Sequence, residues 1–157
     1  MTGARAPSAL YRAPTESAPS EVVLEDGTLL RGLLHLHADA HRPGGFESVQ
    51  HLLDDPEPFF AVTLEGGHVA LVGKAHTVGV RCDAHHEDEL PGTTEVLLEV
   101  VLSTGERRTG RAVWGARPTQ SRALDLLNAS RSFLRLVDER GASYLNLAHL
   151  RVAFPVD

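Results

Sequence analysis

Residues 22–37, VVLEDGTLLRGLLHLH, decide the fold, because residues 100–115, VVLSTGERRTGRAVWG, repeat their pattern. In each, a short apolar run meets a turn glycine, Gly27 or Gly105, and a GxxxxG spacing leads to Gly32 or Gly110. Later features keep the same order. Leu52-Leu53-Asp54 answers Leu126-Leu127-Asn128, Phe59 answers Phe133, and Ala75-His76 answers Ala148-His149 after an alternating strand pattern. The spacing drifts only by a small insertion near Pro43 to Gly45 and by one residue near Gly67. Matches that recur in register indicate an internal duplication, with copies over 22–80 and 96–156.

The local pattern predicts five short strands in each repeat. Asp26-Gly27 is a hairpin signal, since glycine takes the positive φ the turn requires. On the returning strand, 29–37, Leu30, Leu34 and Leu36 share one face, and Leu29, Arg31, Leu33, His35 and His37 share the other. Ala112 and Trp114 replace Leu34 and Leu36 in the second repeat, which marks those positions as inward. Gly32 in mid-strand predicts a bend or a close backbone approach. A helix is predicted over 47–54 with Val49, Leu52 and Leu53 inward, and its counterpart over 121–128 with Ala123, Leu124 and Leu127 inward. A third strand carries Phe60, Val62 and Leu64 on one face. Residues 69–72 form a fourth, apolar throughout and so expected to be covered on both faces. Residues 77–82 form the fifth.

The expected fold class is mainly β with short helices, as two tandem five-stranded small barrels. The expected division is a flexible tail over 1–20, a first repeat over 21–84, an acidic linker over 85–92 and a second repeat over 93–157. A repeat of about 60 residues is near the lower limit for an independent core, so the two are expected to pack together.

Composition narrows the function classes. The single cysteine, Cys82, allows no intramolecular disulfide and no metal-binding cysteine pair. No run approaches the roughly 20 apolar residues of a membrane span, nor the apolar stretch of a signal peptide, so the expected location is the cytoplasm. Residues 21–92 hold 13 acidic and 4 basic residues, net −9, whereas residues 93–157 hold 7 acidic and 9 basic, net +2. Unlike halves attract, within a chain or between chains. GxxxxG here lacks the Lys-Ser or Lys-Thr of a phosphate loop, and the acidic run beside Cys82 disfavours a thiolate. Nothing in the pattern selects a catalytic set, so the chain is read as non-enzymatic.

The first repeat resembles the Sm-like (LSm-type) small β-barrel superfamily. Leu24, Gly27, Leu29, Gly32, Leu71, Val72, Gly73, Val78 and Val80 carry the resemblance, as do Gly105, Gly110, Leu145, Val152 and Phe154 in the second repeat. The chain departs from that pattern by a helix inserted between the second and third strands of both repeats, and by Asn146 where the late glycine is expected. In this it is most similar to bacterial families of unknown function. The resemblance implies the barrel fold and, as one alternative, RNA binding. Lys74 and His76 match positions used by the bacterial RNA-chaperone branch, His149 repeats His76, and Arg107, Arg108 and Arg111, with Arg117, Arg122 and Arg131, would add an anion-binding face.

A second alternative is a zinc-like ion. On a strand, steps of two bring His35, His37, Asp39 and His41 to one face. The second repeat has Val113, Gly115, Arg117 and Thr119 there, so the duplicated architecture itself needs no metal, and no cofactor is otherwise expected.

The favoured reading is a binding and assembly module whose partner is a protein, either another copy of itself or a different chain, with RNA as the alternative partner and no membrane. Short strands leave unpaired backbone groups at a barrel's edges, and a partner strand satisfies them. Leu71, Val72, Val78 and Val80 are expected to supply one edge, and Leu145, Leu147, Val152 and Phe154 the other.

Overall fold

The structure is a computed structural model, and it describes residues 15–41, 43–83, 94–114, 123–130 and 132–156. The first repeat contains β1 (Thr15–Leu24), β2 (Leu29–His37), α1 (Val49–Asp54), β3 (Phe59–Leu64), β4 (Val69–Gly73) and β5 (Thr77–Cys82). The second contains β6 (Thr94–Leu102), β7 (Arg107–Trp114), α2 (Ala123–Ala129), β8 (Phe133–Asp138), β9 (Gly141–Asn146) and β10 (Leu150–Pro155). Single 3-10 turns, Lys74–His76 and Leu147–His149, carry the chain from the fourth strand to the fifth of each repeat.

The hairpin between β1 and β2 forms as its sequence requires. Gly27 has φ +90°, and the Thr28 N–H donates to Asp26 Oδ1 at 2.9 Å. Gly32 marks a close approach: a Cβ there would lie 2.2 Å from the Thr63 carbonyl oxygen of β3. The first strand starts at Thr15, inside the stretch expected to be a tail. Residues 15–20 pair with β2, from Thr15 opposite His37 to Ser20 opposite Gly32. Their small inward residues, Ala18 and Ser20, are buried, which hides the usual strand signal of large apolar alternation.

All ten strands join one open antiparallel sheet in the order β10-β6-β7-β8-β9-β5-β1-β2-β3-β4. The expectation of two closed barrels is therefore corrected. A five-strand barrel would close by pairing its fourth and fifth strands. Here β5 already has β1 on one side and β9 on the other, so its backbone groups are satisfied without β4. Among the described residues, β4 and β10 each have a strand neighbour on one side only.

Two cores fill the repeats, and each borrows from the other. Val22, Leu34, Leu36, Val49, Leu53, Val62 and Val80 centre the first, which also takes in Phe133, Val137, Ala142 and Tyr144 of the second repeat. Leu98, Val100, Ala112, Leu126, Leu134 and Leu145 centre the second, joined by Val78 of the first repeat. Ser48 caps α1 by accepting the His51 N–H at 3.0 Å. In α2 the inward residues are Ala123 and Leu126, whereas Leu124, expected inward, is exposed.

Candidate functional site

The junction between the repeats is the template for reading the rest of the surface. There β5 and β9 pair with Gly79 opposite Leu145, Val80 opposite Tyr144, Arg81 opposite Ser143 and Cys82 opposite Ala142. Side chains lock this ladder. Asn146 Nδ2 donates to the Lys74 and Thr77 carbonyls, both at 3.0 Å. Asp54 Oδ1 accepts the Ser132 and Phe133 N–H groups at 3.2 and 3.1 Å, and Gln50 Nε2 donates to the Phe133 carbonyl at 2.8 Å. His149 Nε2 donates to the Ala75 carbonyl at 2.8 Å. Gly141 has φ +143°, and a Cβ there would sit 2.3 Å from the Cys82 carbonyl oxygen, so the close approach of the two repeats needs glycine at this corner.

The open edges present the same kinds of residue uncovered. The strand pairing aligns Phe59, Val69 and Leu71 with Phe133, Ala142 and Tyr144. The second set is 3% exposed or less, while the first set is 60%, 61% and 73% exposed. The fourth strand was expected to be covered on both faces; the structure covers one, through Val72, and leaves the Val69 and Leu71 face open. A shallow cavity of about 370 Å³ beside it is lined by Phe59, Phe60, Leu71 and Leu52 and rimmed by Glu47, Asp55 and Glu57. At the opposite end, Val152 and Phe154 are exposed on β10, and Val156 just after it.

Of the residues expected at assembly edges, Leu71 and Val72 lie on β4 and Val152 and Phe154 on β10, the two open strands. Val78, Val80 and Leu145 lie instead on β5 and β9 in the internal junction, and Leu147 lies in a 3-10 turn. Apolar alternation shows which face of a strand is buried and is silent about which neighbour its backbone meets.

The expected RNA-contacting residues have protein partners. Lys74 Nζ donates to the Leu52 and Asp55 carbonyls at 2.8 and 2.7 Å, tying the end of α1 to the β4–β5 turn. Burial pushes this ammonium below the ordinary lysine value, against the opposing pull of Asp55, Glu57, Asp54 and Glu47. His76 meets Glu25 at 2.5 Å, and His149 lies 3.7 Å from the same carboxylate. Arg107 pairs with Glu99 at 2.7 Å, Arg108 with Glu106 at 2.5 Å, and Arg111 with Glu95. Arg117, Arg122 and Arg131, and the linker over 85–92, lie outside the described residues.

The histidine strip is not continuous. Because β2 ends at His37, Asp39 and His41 leave the strand's alternation, and the Asp39 carboxylate accepts the His41 N–H at 3.0 Å in a turn of its own. His35 Nε2 meets Thr63 Oγ1 at 2.7 Å. Among the described residues, no three metal-ligating side chains are grouped so that they could share an ion.

Compared with known proteins, the chain matches no family model, no curated protein and no solved structure. The residues that sequence reasoning passed over are the lock itself, Asn146, Asp54 and Gln50, and the exposed Phe59 and Val69. One signal for them was present: Asn146 stands where the first repeat has Gly73, and an asparagine buried at the end of a strand needs hydrogen-bond partners.

Proposed function

We propose that this protein is a non-enzymatic binding and assembly module that takes up partner protein at the two open edges of its sheet. One observation carries the reading: residues that the second repeat buries against the first recur, exposed, on the free edge of the first repeat. Open strands of a sheet offer unpaired N–H and C=O groups, and an adjoining apolar patch adds burial to that pairing. Edge strands of monomers are usually blunted, and β4 carries neither charge nor proline. The glycine spacings and the five strands of each repeat support an Sm-like origin for the module, and its place of action is taken to be the cytoplasm. No helix among the described residues is long and apolar enough to cross a membrane.

The test is affinity capture with immobilised wild-type protein beside Leu71→Asp and Phe154→Asp, each confirmed folded by circular dichroism. Wild type is expected to retain protein, with Leu71→Asp losing what the β4 edge holds and Phe154→Asp losing what the β10 edge holds. Equal retention by all three baits contradicts the proposal.

A further inference from the structure

Building on that reading of the edges, we infer that the partner is a second copy of this chain, joined end to end by a junction that repeats the internal one with only part of its side-chain lock. The internal junction is therefore permanent and the outer one reversible.

Matching the turns Lys74–His76 and Leu147–His149 aligns β9 with β4 and β5 with β10. The internal register, transferred to two chains, sets Val152 of one copy opposite Val72 of the other, Ala153 opposite Leu71, and Phe154 opposite Ala70. Val80 and Tyr144, the internal counterparts of Ala153 and Leu71, share one face and both belong to the first core. Leu71 and Phe59 would enter the second core of a neighbouring copy as Tyr144 and Phe133 enter the first. The receiving side is open for them: Val96 and Ala153 are half-buried and Pro155 is exposed, where Ala18, Val80 and Cys82 are buried in the first repeat. The net charges of −9 and +2 favour this union of unlike ends over a union of like ones.

The lock is reduced in the outer junction: Asn128 in place of Asp54 would still accept the Phe59 N–H, and His76 in place of His149 would still face the Ala148 carbonyl, but the other members are lost. Gly73 replaces Asn146, with nearly the same backbone, φ −75° and ψ 122° against −67° and 120°. Leu124 replaces Gln50, and Pro58, which has no N–H, replaces Ser132. His68 replaces Gly141, so the transferred ladder cannot continue past Val69 with the same close approach. Pro155 replaces Cys82; since the Val156 N–H donates to Leu97 of β6, alternation turns the Pro155 nitrogen, which has no hydrogen, to the open side. What remains is apolar burial, a shortened ladder and those two side-chain contacts.

The asymmetry supplies a gain-of-function test. A Cβ on Gly73 would lie 3.4 Å from His76 Cδ2 and 3.6 Å from Phe59 Cε2, ordinary contacts, so Gly73→Asn fits. Its carboxamide would be oriented by the Ala75 N–H, as Asn146 Oδ1 is by the Ala148 N–H at 2.9 Å. It would then reach the Leu147 and Leu150 carbonyls of the second copy. Sedimentation equilibrium of wild type, Gly73→Asn and Leu71→Asp from micromolar to about 1 mM is the experiment. Wild type is expected to associate reversibly, Gly73→Asn to tighten association about tenfold through two added hydrogen bonds, and Leu71→Asp to remain monomeric. Monomers for both wild type and Gly73→Asn, or an unchanged constant in Gly73→Asn, would overturn the inference. If such monomers still capture a different protein that Leu71→Asp loses, only the identity of the partner fails; if they capture nothing, the docking reading fails too.

Discussion

Replacing Asn146 by alanine removes the central tie between the repeats while leaving the strands themselves intact. Its side chain is buried and makes three hydrogen bonds: two from Nδ2 to the Lys74 and Thr77 carbonyls at 3.0 Å, and one accepted from the Ala148 N–H at 2.9 Å. Each such bond contributes about 1 kcal/mol net, and deleting the buried partner leaves polar groups unsatisfied. The loss is therefore about 3 kcal/mol. For a chain of 157 residues that corresponds to a fall in Tm of about 6 to 12 °C. Calorimetry at fixed protein concentration measures the fall, and amide hydrogen exchange locates it. The accelerated amides are expected in β5, β9 and the Lys74–His76 turn, with β2 and β7 little changed at equal degree of unfolding. A Tm within about 1 °C of wild type, or acceleration spread evenly over both repeats, would show that Asn146 does not tie the repeats together.

Other expectations follow from the same geometry. Gly32→Ala drives a methyl group into the Thr63 carbonyl and should cost about 3 kcal/mol, whereas Gly27→Ala, strained by φ +90° but with nothing near its Cβ, should cost about 1 kcal/mol. Chemical denaturation of the two variants compares them, and equal losses would contradict the close approach of β2 and β3. Lys74 is the chain's one lysine, so its ε-methylene NMR signal titrates without overlap from another lysine, and its midpoint should fall below 10.5 because burial disfavours the charged form. The folded chain then binds fewer protons than the unfolded chain between those two values. The lysine's contribution to stability accordingly rises as pH climbs through that window, and the rise should vanish in Lys74→Met; a midpoint at 10.5 would remove the effect and one above it would reverse the sign.

Much of the fold is legible in the sequence, for reasons specific to certain residues. The GxxxxG pairs locate both hairpins, because Gly27 and Gly105 need positive φ and a Cβ on Gly32 or Gly110 would lie within about 3 Å of neighbouring backbone or side chain. Alternation in 29–37 and 59–64 separates buried Leu34, Leu36, Phe60 and Val62 from outward neighbours. What is not legible depends on partners distant in the chain. Residues 15–20 form a strand because β2 runs beside all of them and β5 reaches Ser20, and the choice of β9 over β4 as neighbour of β5 rests on Asn146, Asp54 and Gln50 acting together across 69 to 83 residues of chain. The candidate site divides in the same way. The apolar character of 69–72 announces a strand that needs two covers, yet only the structure shows that among the described residues one cover is missing.

Disulfide cross-linking between chains reads the end-to-end junction at the level of single residue pairs. In a Cys82→Ser background, the double variant Leu71→Cys, Ala153→Cys places its thiols on β4 and β10, the two end strands of the sheet. The copied register brings them face to face between molecules, as Val80 and Tyr144 meet inside the chain. Mild oxidation should yield dimers and higher multiples from the double variant and markedly fewer from Leu71→Cys, Val152→Cys, whose second thiol points to the other face. Monomer alone from the first variant, or equal yields from both, would contradict it.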